Sequence, residues 1–379
     1  MTPAHAQSYR ISIRVPNTRR SNEAVSSGDV TESAESSGAH HPAQPPLQRR
    51  RTIGELGIAC SPTVVTDTNV TDTENVGGLL HDEGMLAVTT AFGEFRGNLE
   101  ITGLQESVVA ARQERVRAAV AGGLTVRDSF LTGSYRRHTL IGPMREADVD
   151  IVVVLDRSYR PRGPRAVLDL VKDILRETFP SSKISRNGQA VTISFSDFTV
   201  DVVPAFATWW DSEIVDICNS GDGTWIRTSP KRHIDISSKV NKRTGGLLIP
   251  SVKMLKAWNR AAGRPLRSFH LEVLAWKVFD PGVLSAAWWG PGVGMGSDGE
   301  NVSRFFAEAA GRLRGRLRDP ALNEGDVGAY LTERARDEAI SRVATAASRC
   351  QQAGQLLAEG NAAGANALYR KVFGDAFPR

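Results

Sequence analysis

The sequence has little of the chemistry that holds small secreted proteins together. Its 379 residues include three cysteines, Cys60, Cys218 and Cys350, which stand far apart and form no Cys-x-x-Cys pair. This argues against a disulfide scaffold and a zinc knuckle, and it favours a reduced, cytoplasmic protein. The chain also lacks a run of about 18 apolar residues and an apolar signal-peptide core near its start. Neither a transmembrane helix nor a membrane partner is therefore expected.

The first 84 residues differ in composition from the rest. They are rich in Ser, Thr, Pro, Asn and Glu and show little apolar periodicity, so we predict that residues 1–84 form a disordered extension. Their net charge is −3, whereas the remaining residues carry +8. That excess fits a basic cleft for nucleoside triphosphates, nucleic-acid binding or an ordinary solvated surface. We expect the globular part to begin at Met85, which would then be the biological start.

Two aspartates open an apolar run that is typical of a buried strand, residues 148–155. Because strand side chains alternate between faces, Asp148 and Asp150 share one face. Neighbouring carboxylates repel without a counter-charge, and hard oxygen ligands suit Mg²⁺, with Mn²⁺ as a substitute. A small-residue turn precedes them. There Gly133 would let the backbone approach a phosphate, and Ser134 offers an N–H and a hydroxyl.

A third carboxylate is expected on a later strand. Residues 189–195 and 198–203 read as two strands, and Asp201 lies among β-branched residues of the second. A charged residue in such a place is rarely core unless it is paired or binds metal. Asp197 competes for the role, but it stands in a turn, where aspartate is common anyway. We therefore assign Asp201 as the third metal ligand.

This constellation resembles the nucleotidyltransferase superfamily that includes polymerase β. The shared features are a Gly-Ser turn, a short spacer, an Asp-x-Asp flanked by apolar residues and a distant Asp on a later strand. More narrowly, it is similar to the bacterial CD-NTases, relatives of animal cyclic GMP–AMP synthase and oligoadenylate synthase. The segment Ser268-Phe269-His270-Leu271-Glu272 and the Phe-Gly-x-x-Phe-Pro ending also match that family, so the resemblance covers roughly residues 90 to 379.

The resemblance implies an α/β fold with two lobes. Residues 85–230 would form a polymerase-β-like nucleotidyltransferase domain with a mixed sheet. Residues 231–379 would form a helical C-terminal lobe that binds nucleotide, with the substrates in the cleft between the lobes. The local pattern also predicts an amphipathic helix over residues 164–179 and a hairpin over residues 209–228.

The resemblance also implies roles for individual residues. Asp148 and Asp150 would hold two Mg²⁺ ions on the incoming triphosphate, and Asp201 would complete the acceptor-side metal. Two of the implied nucleotide-binding roles have a simpler structural alternative. Lys253 and Lys256 could form the solvated face of a helix, and Ser268 could serve only as a helix N-cap. Phe269 could stack on a base. The nucleotide-binding residues implied are Gly133, Ser134, Thr139, Lys253, Lys256, Ser268 and Phe269.

The implied activity is a Mg-dependent nucleotidyltransferase that joins nucleoside triphosphates into a cyclic di- or trinucleotide and releases pyrophosphate. In the family such products are second messengers of anti-phage CBASS defence, which implies regulatory protein partners from the same defence operon. No His/Cys cluster replaces the DNA-binding zinc insert of animal cyclic GMP–AMP synthase, so a nucleic-acid activator is not indicated. Two alternatives stay open. One is a linear oligonucleotide or single-nucleotide transferase acting on RNA or a small acceptor, and the other is a non-catalytic binding module.

Overall fold

A computed structural model describes residues 73–282 and 294–379, with side chains from residue 83 onward. Asn75–Arg379 lies within one compact unit. The strands are β1 (Val126–Thr132), β2 (Asp148–Leu155), β3 (Lys183–Asn187), β4 (Ala190–Ser194), β5 (Thr199–Ala207), β6 (Val215–Cys218) and β7 (Trp225–Thr228). The helices are α1 (Thr73–Leu99), α2 (Gly103–Gly123), α3 (Gly133–Arg136), α4 (Pro164–Thr178), α5 (Pro230–Arg243), α6 (Leu248–Ala261), α7 (Ser268–Phe279), α8 (Asp298–Leu313), α9 (Glu333–Ala358) and α10 (Ala362–Phe373).

The described strands form one mixed sheet in the order β1-β2-β5-β4-β3, with β6 paired to β5 and β7 paired to β6. The central pair, β2 and β5, is parallel, and the other neighbouring strands run antiparallel. Runs of β-branched and other apolar residues, buried on both faces, suit these two strands to the centre of the sheet. The sheet therefore holds the acidic residues of β2 and β5 on its two central strands.

Two predicted elements beside the sheet are confirmed. The amphipathic helix is α4, which ends at Thr178 and buries Val167, Leu168, Val171 and Leu175 in the core that also contains residues of the sheet. Pro164 occupies its first position, where a missing N–H costs nothing. The hairpin over residues 209–228 is β6 and β7, which pair antiparallel.

Helix α1 packs with the C-terminal helices, although it precedes the sheet in the chain. Phe92 and Phe95 are buried in the helical core, and their rings lie 4.8 Å from those of Tyr369 and Phe373, respectively. The packing thus differs from the predicted domain boundaries, because the part of α1 after Met85 shares the core of the helical lobe. Residues 73–84, predicted to be disordered, belong to α1. Residues 1–72 of that predicted extension lie outside the described residues.

The overall architecture is that of the predicted fold class. A mixed sheet with helices on it forms one lobe, and the C-terminal helices form a second core with α1. None of the helices described is both long enough and apolar enough to cross a membrane.

Candidate active site

Three aspartates project from one face of the central strand pair. Asp148 and Asp150 lie two positions apart on β2, and Asp150 is in register with Asp201 on the parallel strand β5. Residues in register on parallel strands point to the same face, so the three carboxylates are neighbours. Asp150 and Asp201 are buried, whereas Asp148 at the start of its strand is half-buried. Charges so placed in a sheet need partners.

Two threonine hydroxyls donate to this row of carboxylates. Thr199 Oγ1 donates to Asp148 Oδ1 at 2.5 Å, and Thr192 Oγ1 donates to Asp201 Oδ1 at 2.5 Å. The competing aspartate, Asp197, lies elsewhere. Its carboxylate accepts from the backbone N–H of Phe198 in the turn and pairs with Arg112 at 3.0 Å. The structure thus places Asp201, and not Asp197, beside the Asp148–Asp150 pair.

The Gly-Ser turn stands at the end of β1, next to the aspartates. Gly133 has a φ of +70°, a left-handed conformation that disfavours a side chain. The carbonyl of Ser134 accepts hydrogen bonds from the backbone N–H groups of Thr139 (2.8 Å) and Leu140 (3.0 Å), which close the loop. Thr132 at the end of β1 pairs with Asp150, so the register of the sheet fixes the turn beside the carboxylates.

A pocket of roughly 430 Å³ opens over the turn and the aspartates. Both lobes line it: the turn and β2 on one side, and α6 with α7 on the other. Polar and charged groups dominate the lining, which is the character expected of a site for phosphorylated ligands. The predicted site residues in the lining are Gly133, Ser134, Thr139, Asp148, Asp150, Lys256, Ser268 and Phe269.

A buried charge cluster forms the floor of the pocket. The carboxylate of Glu272 on α7 is fully buried and pairs with Arg137 Nε at 2.7 Å and with Lys256 Nζ at 2.6 Å. Thr139 Oγ1 also donates to it, at 3.0 Å. Burial alone would raise the pKa of Glu272, but the two cations and their hydrogen bonds outweigh burial and lower that pKa to about 2. Glu272 is therefore ionised at neutral pH.

Comparisons with known proteins find similar sequences. Residues 86–241 match the Second Messenger Oligonucleotide or Dinucleotide Synthetase domain. A cyclic AMP-AMP-AMP synthase from Acinetobacter sp. is 28% identical over 138 residues, which is 35% of this chain and 39% of that protein. A cyclic AMP-AMP-AMP synthase from Escherichia coli is 27% identical over 162 residues, 40% of this chain and 50% of that protein. The aligned stretches thus span half or less of these two relatives.

Solved structures show the same fold. The Escherichia coli protein CdnC, solved with ATP, has a TM-score of 0.63 and covers 76% of this chain and 98% of its own, at 19% identity. Vibrio cholerae DncV, a cyclic AMP-GMP synthase, has a TM-score of 0.54 and covers 82% of this chain and 92% of its own, at 18% identity. Residues 86–241 thus carry the matched synthetase domain, and the fold of the chain is that of the bacterial CD-NTases. Its fold is accordingly polymerase-β-like.

The two predicted lysines differ in their position relative to the pocket. Both are buried, so the alternative of a solvated lysine face is wrong. Lys256 lines the pocket, whereas Lys253 is outside its lining and pairs with Glu100 at 2.5 Å. Burial lowers the pKa of Lys256, and the nearby Glu272 carboxylate acts in the opposite direction.

Ser268 and Phe269 both line the pocket at the start of α7. The N-cap position is taken by Arg267, and no side chain caps this helix end, so the N-cap alternative for Ser268 is wrong. Phe269 is only 6% exposed, and its ring packs edge-on against His233 at 4.8 Å. The Arg137 guanidinium lies 5.5 Å from the centre of the same ring. Much of Phe269 is thus committed to packing within the protein.

Sequence reasoning missed three arginines that line the pocket. Arg260, Arg264 and Arg267 line it around the connection from α6 to α7. The first two pair with Glu146 at 3.2 and 2.5 Å, and the third lies 4.1 Å from the ring centre of Tyr330. The clustering of three arginines beside a matched family segment was a signal that could have found them. Glu272 was missed as well, although a lone acid inside an apolar helix carries the same signal as Asp201.

The carboxylates fit Mg²⁺ by their chemistry. Three hard oxygen donors on one face suit an ion that keeps several waters and shares its shell with substrate phosphates. Within residues 83–282 and 294–379, no group of three His, Cys, Asp or Glu side chains forms a ready metal cage. Asp148 and Asp201 instead accept the threonine hydroxyls described above. These carboxylates would therefore hold Mg²⁺ only together with oxygen atoms of a bound substrate, which is the usual way in which proteins bind this ion.

Proposed function

We propose that the chain is a Mg-dependent nucleotidyltransferase that joins nucleoside triphosphates into a cyclic di- or trinucleotide and releases pyrophosphate. The observation that carries this proposal is the register of Asp150 with Asp201, with Asp148 on the same face and the Gly133-Ser134 turn beside them. Asp148 and Asp150, with the turn that would bind phosphate, line one pocket, and Asp201 lies beside them in the sheet.

The residues divide the work of the reaction. Asp148, Asp150 and Asp201 would hold Mg²⁺, which, when bound, neutralises triphosphate charge and acidifies the acceptor hydroxyl. Ser134 would donate to phosphate oxygens, and the arginines lining the pocket would balance their charge. Asp201, held at Oδ1 by Thr192, is the candidate acceptor for the proton of the attacking hydroxyl.

The names of the relatives support a cyclic product, and one solved complex supports a regulatory protein partner. Two of them are cyclic AMP-AMP-AMP synthases, and a third, from Enterobacter hormaechei, is a cyclic AMP-AMP-GMP synthase. The Escherichia coli CdnC has been solved in a complex with a HORMA protein. We extend these two properties to this chain, and on the family resemblance alone we further propose that it acts in cytoplasmic anti-phage signalling.

The test uses the full chain with all four nucleoside triphosphates, with and without Mg²⁺, and identifies the products by mass spectrometry. Asp148→Asn and Asp150→Asn should each abolish transfer without loss of fold, since removal of a carboxylate relieves repulsion. The matched control is Asp197→Asn, which removes a turn carboxylate outside the pocket and should leave the yield unchanged. A linear product would favour the oligonucleotide-transferase alternative. Full activity of either pocket variant would overturn the site assignment, and no wild-type product would overturn the function.

A further inference from the structure

A fully buried carboxylate lies where anionic substrates are expected. Glu272 lines the pocket from α7 and is ionised, so it would repel a triphosphate if it stood alone. The positive charges of Arg137 and Lys256, which pair with Glu272, offset this repulsion. We propose that Glu272 is a positioning residue that fixes the Gly133-Ser134 turn through Arg137, Thr139 and Lys256. This inference takes its substrate class from the proposed function.

The contacts of Glu272 span the two lobes. Oε2 accepts from Arg137 Nε at 2.7 Å, and Oε1 accepts from Thr139 Oγ1 at 3.0 Å and pairs with Lys256 Nζ at 2.6 Å. Arg137 Nη2 adds a second bond to Oε1 at 3.3 Å. Arg137 and Thr139 belong to the loop that follows the turn, whereas Lys256 and Glu272 belong to α6 and α7. One carboxylate therefore connects the helical lobe to the turn.

These contacts reach the turn through its own backbone. The N–H of Arg137 donates to the carbonyl of Gly133 at 3.1 Å, and the N–H of Thr139 donates to the carbonyl of Ser134 at 2.8 Å. Arg137 and Thr139, whose side chains bind Glu272, are thus also bonded through their backbone to the two residues of the turn. Side chains locked in this way keep a binding turn in its productive geometry, and displacements of about 1 Å can cost about a hundredfold in rate.

The cluster also changes the role that is expected of Lys256. Its ammonium donates to the carbonyl of Thr139 at 3.0 Å and to Thr139 Oγ1 at 3.1 Å, besides its pair with Glu272. An ammonium has three donors, and these three acceptors use them all. In this arrangement Lys256 acts on triphosphate through the turn, and not as the direct phosphate ligand that the family resemblance implies.

The test compares Glu272→Gln with Asp280→Asn in the full chain. Asp280 is a matched control because it is a buried carboxylate of the helical lobe, 1% exposed and paired with Arg243, outside the pocket lining. The first readout is hydrogen exchange at the amides of Thr139 and Leu140 in the ligand-free protein. We expect Glu272→Gln to speed this exchange about tenfold or more, while the control matches the wild type.

The second readout is steady-state kinetics for each triphosphate. Glu272→Gln should lower kcat/KM about a hundredfold, by a similar factor for every base, because under the proposed function the turn would contact phosphates and not bases. Wild-type exchange at the two amides in Glu272→Gln would overturn the proposal. So would equal acceleration and equal kinetic loss in Asp280→Asn, because the effect would then be general destabilisation. If the wild type makes no product, the proposed function fails, and the exchange experiment still decides the positioning role.

Discussion

Replacing Glu272 by glutamine should reduce the free energy of unfolding by about 3 kcal/mol near neutral pH. Burial acts to raise the pKa of this carboxyl, but Arg137 and Lys256 hold it at about 2, well below its usual 4.5. At about 1.4 kcal/mol for each pKa unit, that difference corresponds to about 3 kcal/mol. Breaking one side of a buried ion pair costs about 3–5 kcal/mol in other proteins, so the two routes agree.

The pH dependence of this effect has a definite sign. Because the folded-state pKa of Glu272 lies below the unfolded value, its stabilisation is complete above about pH 4.5 and is lost as the pH falls toward about 2. The difference between wild type and Glu272→Gln should therefore be largest near neutral pH and shrink on acidification. Glutamine has no such proton to bind and cannot reproduce this dependence.

Urea unfolding at several pH values between about 7 and 3 would measure both the size and the slope. Glu338→Gln is the surface control, since Glu338 is 56% exposed and forms an i,i+4 pair with Arg342. Its effect should stay below about 0.5 kcal/mol. The reasoning is refuted if Glu272→Gln matches this control near pH 7, or if its deficit grows as the pH falls.

Three further predictions concern the same lobes. Lys256→Ala should weaken the binding of all four nucleoside triphosphates together, whereas Lys253→Ala, outside the pocket, should leave their calorimetric affinities unchanged. Phe269→Ala should lower the free energy of unfolding by about 3 kcal/mol, because its ring is buried, so urea melts must accompany any claim of lost base stacking. A chain that starts at Met85 should keep the melting temperature and activity of the full chain, because Val88 is the first buried apolar side chain among residues 83–99 of α1; a large loss of either would disprove this.

The parts of the site that sequence could predict are those with local signals. Alternation along β2 puts Asp148 and Asp150 on one face, and an acid among β-branched residues singles out Asp201. The register that brings the three aspartates together is a property of the sheet, but it can be inferred once both strands are placed at the centre of that sheet. Lys253 and Lys256 show the limit of such a prediction. Their spacing on a helix indicates that they are close to each other, but it does not indicate which of them lines the pocket.

The features that sequence patterns could not predict depend on long-range packing. Glu272 meets Arg137 across 135 positions of chain, and no periodicity encodes that meeting. The same holds for α1, whose apolar residues predict a buried helix but not the lobe that buries it. Both features depend on which surfaces meet after the elements have formed.

The placement of α1 makes the sheet lobe an insertion within the helical one. Apart from Ile141, the chain contributes nothing to the helical core between Leu99 and α5. Two segments of backbone therefore connect the lobes. During synthesis α1 emerges before the sheet, whereas its ring partners Tyr369, Phe373 and Phe377 emerge after it. All strands of the sheet are therefore available while α1 still exposes an apolar face, and the pocket between the lobes is completed only when the helices that follow the sheet have been made.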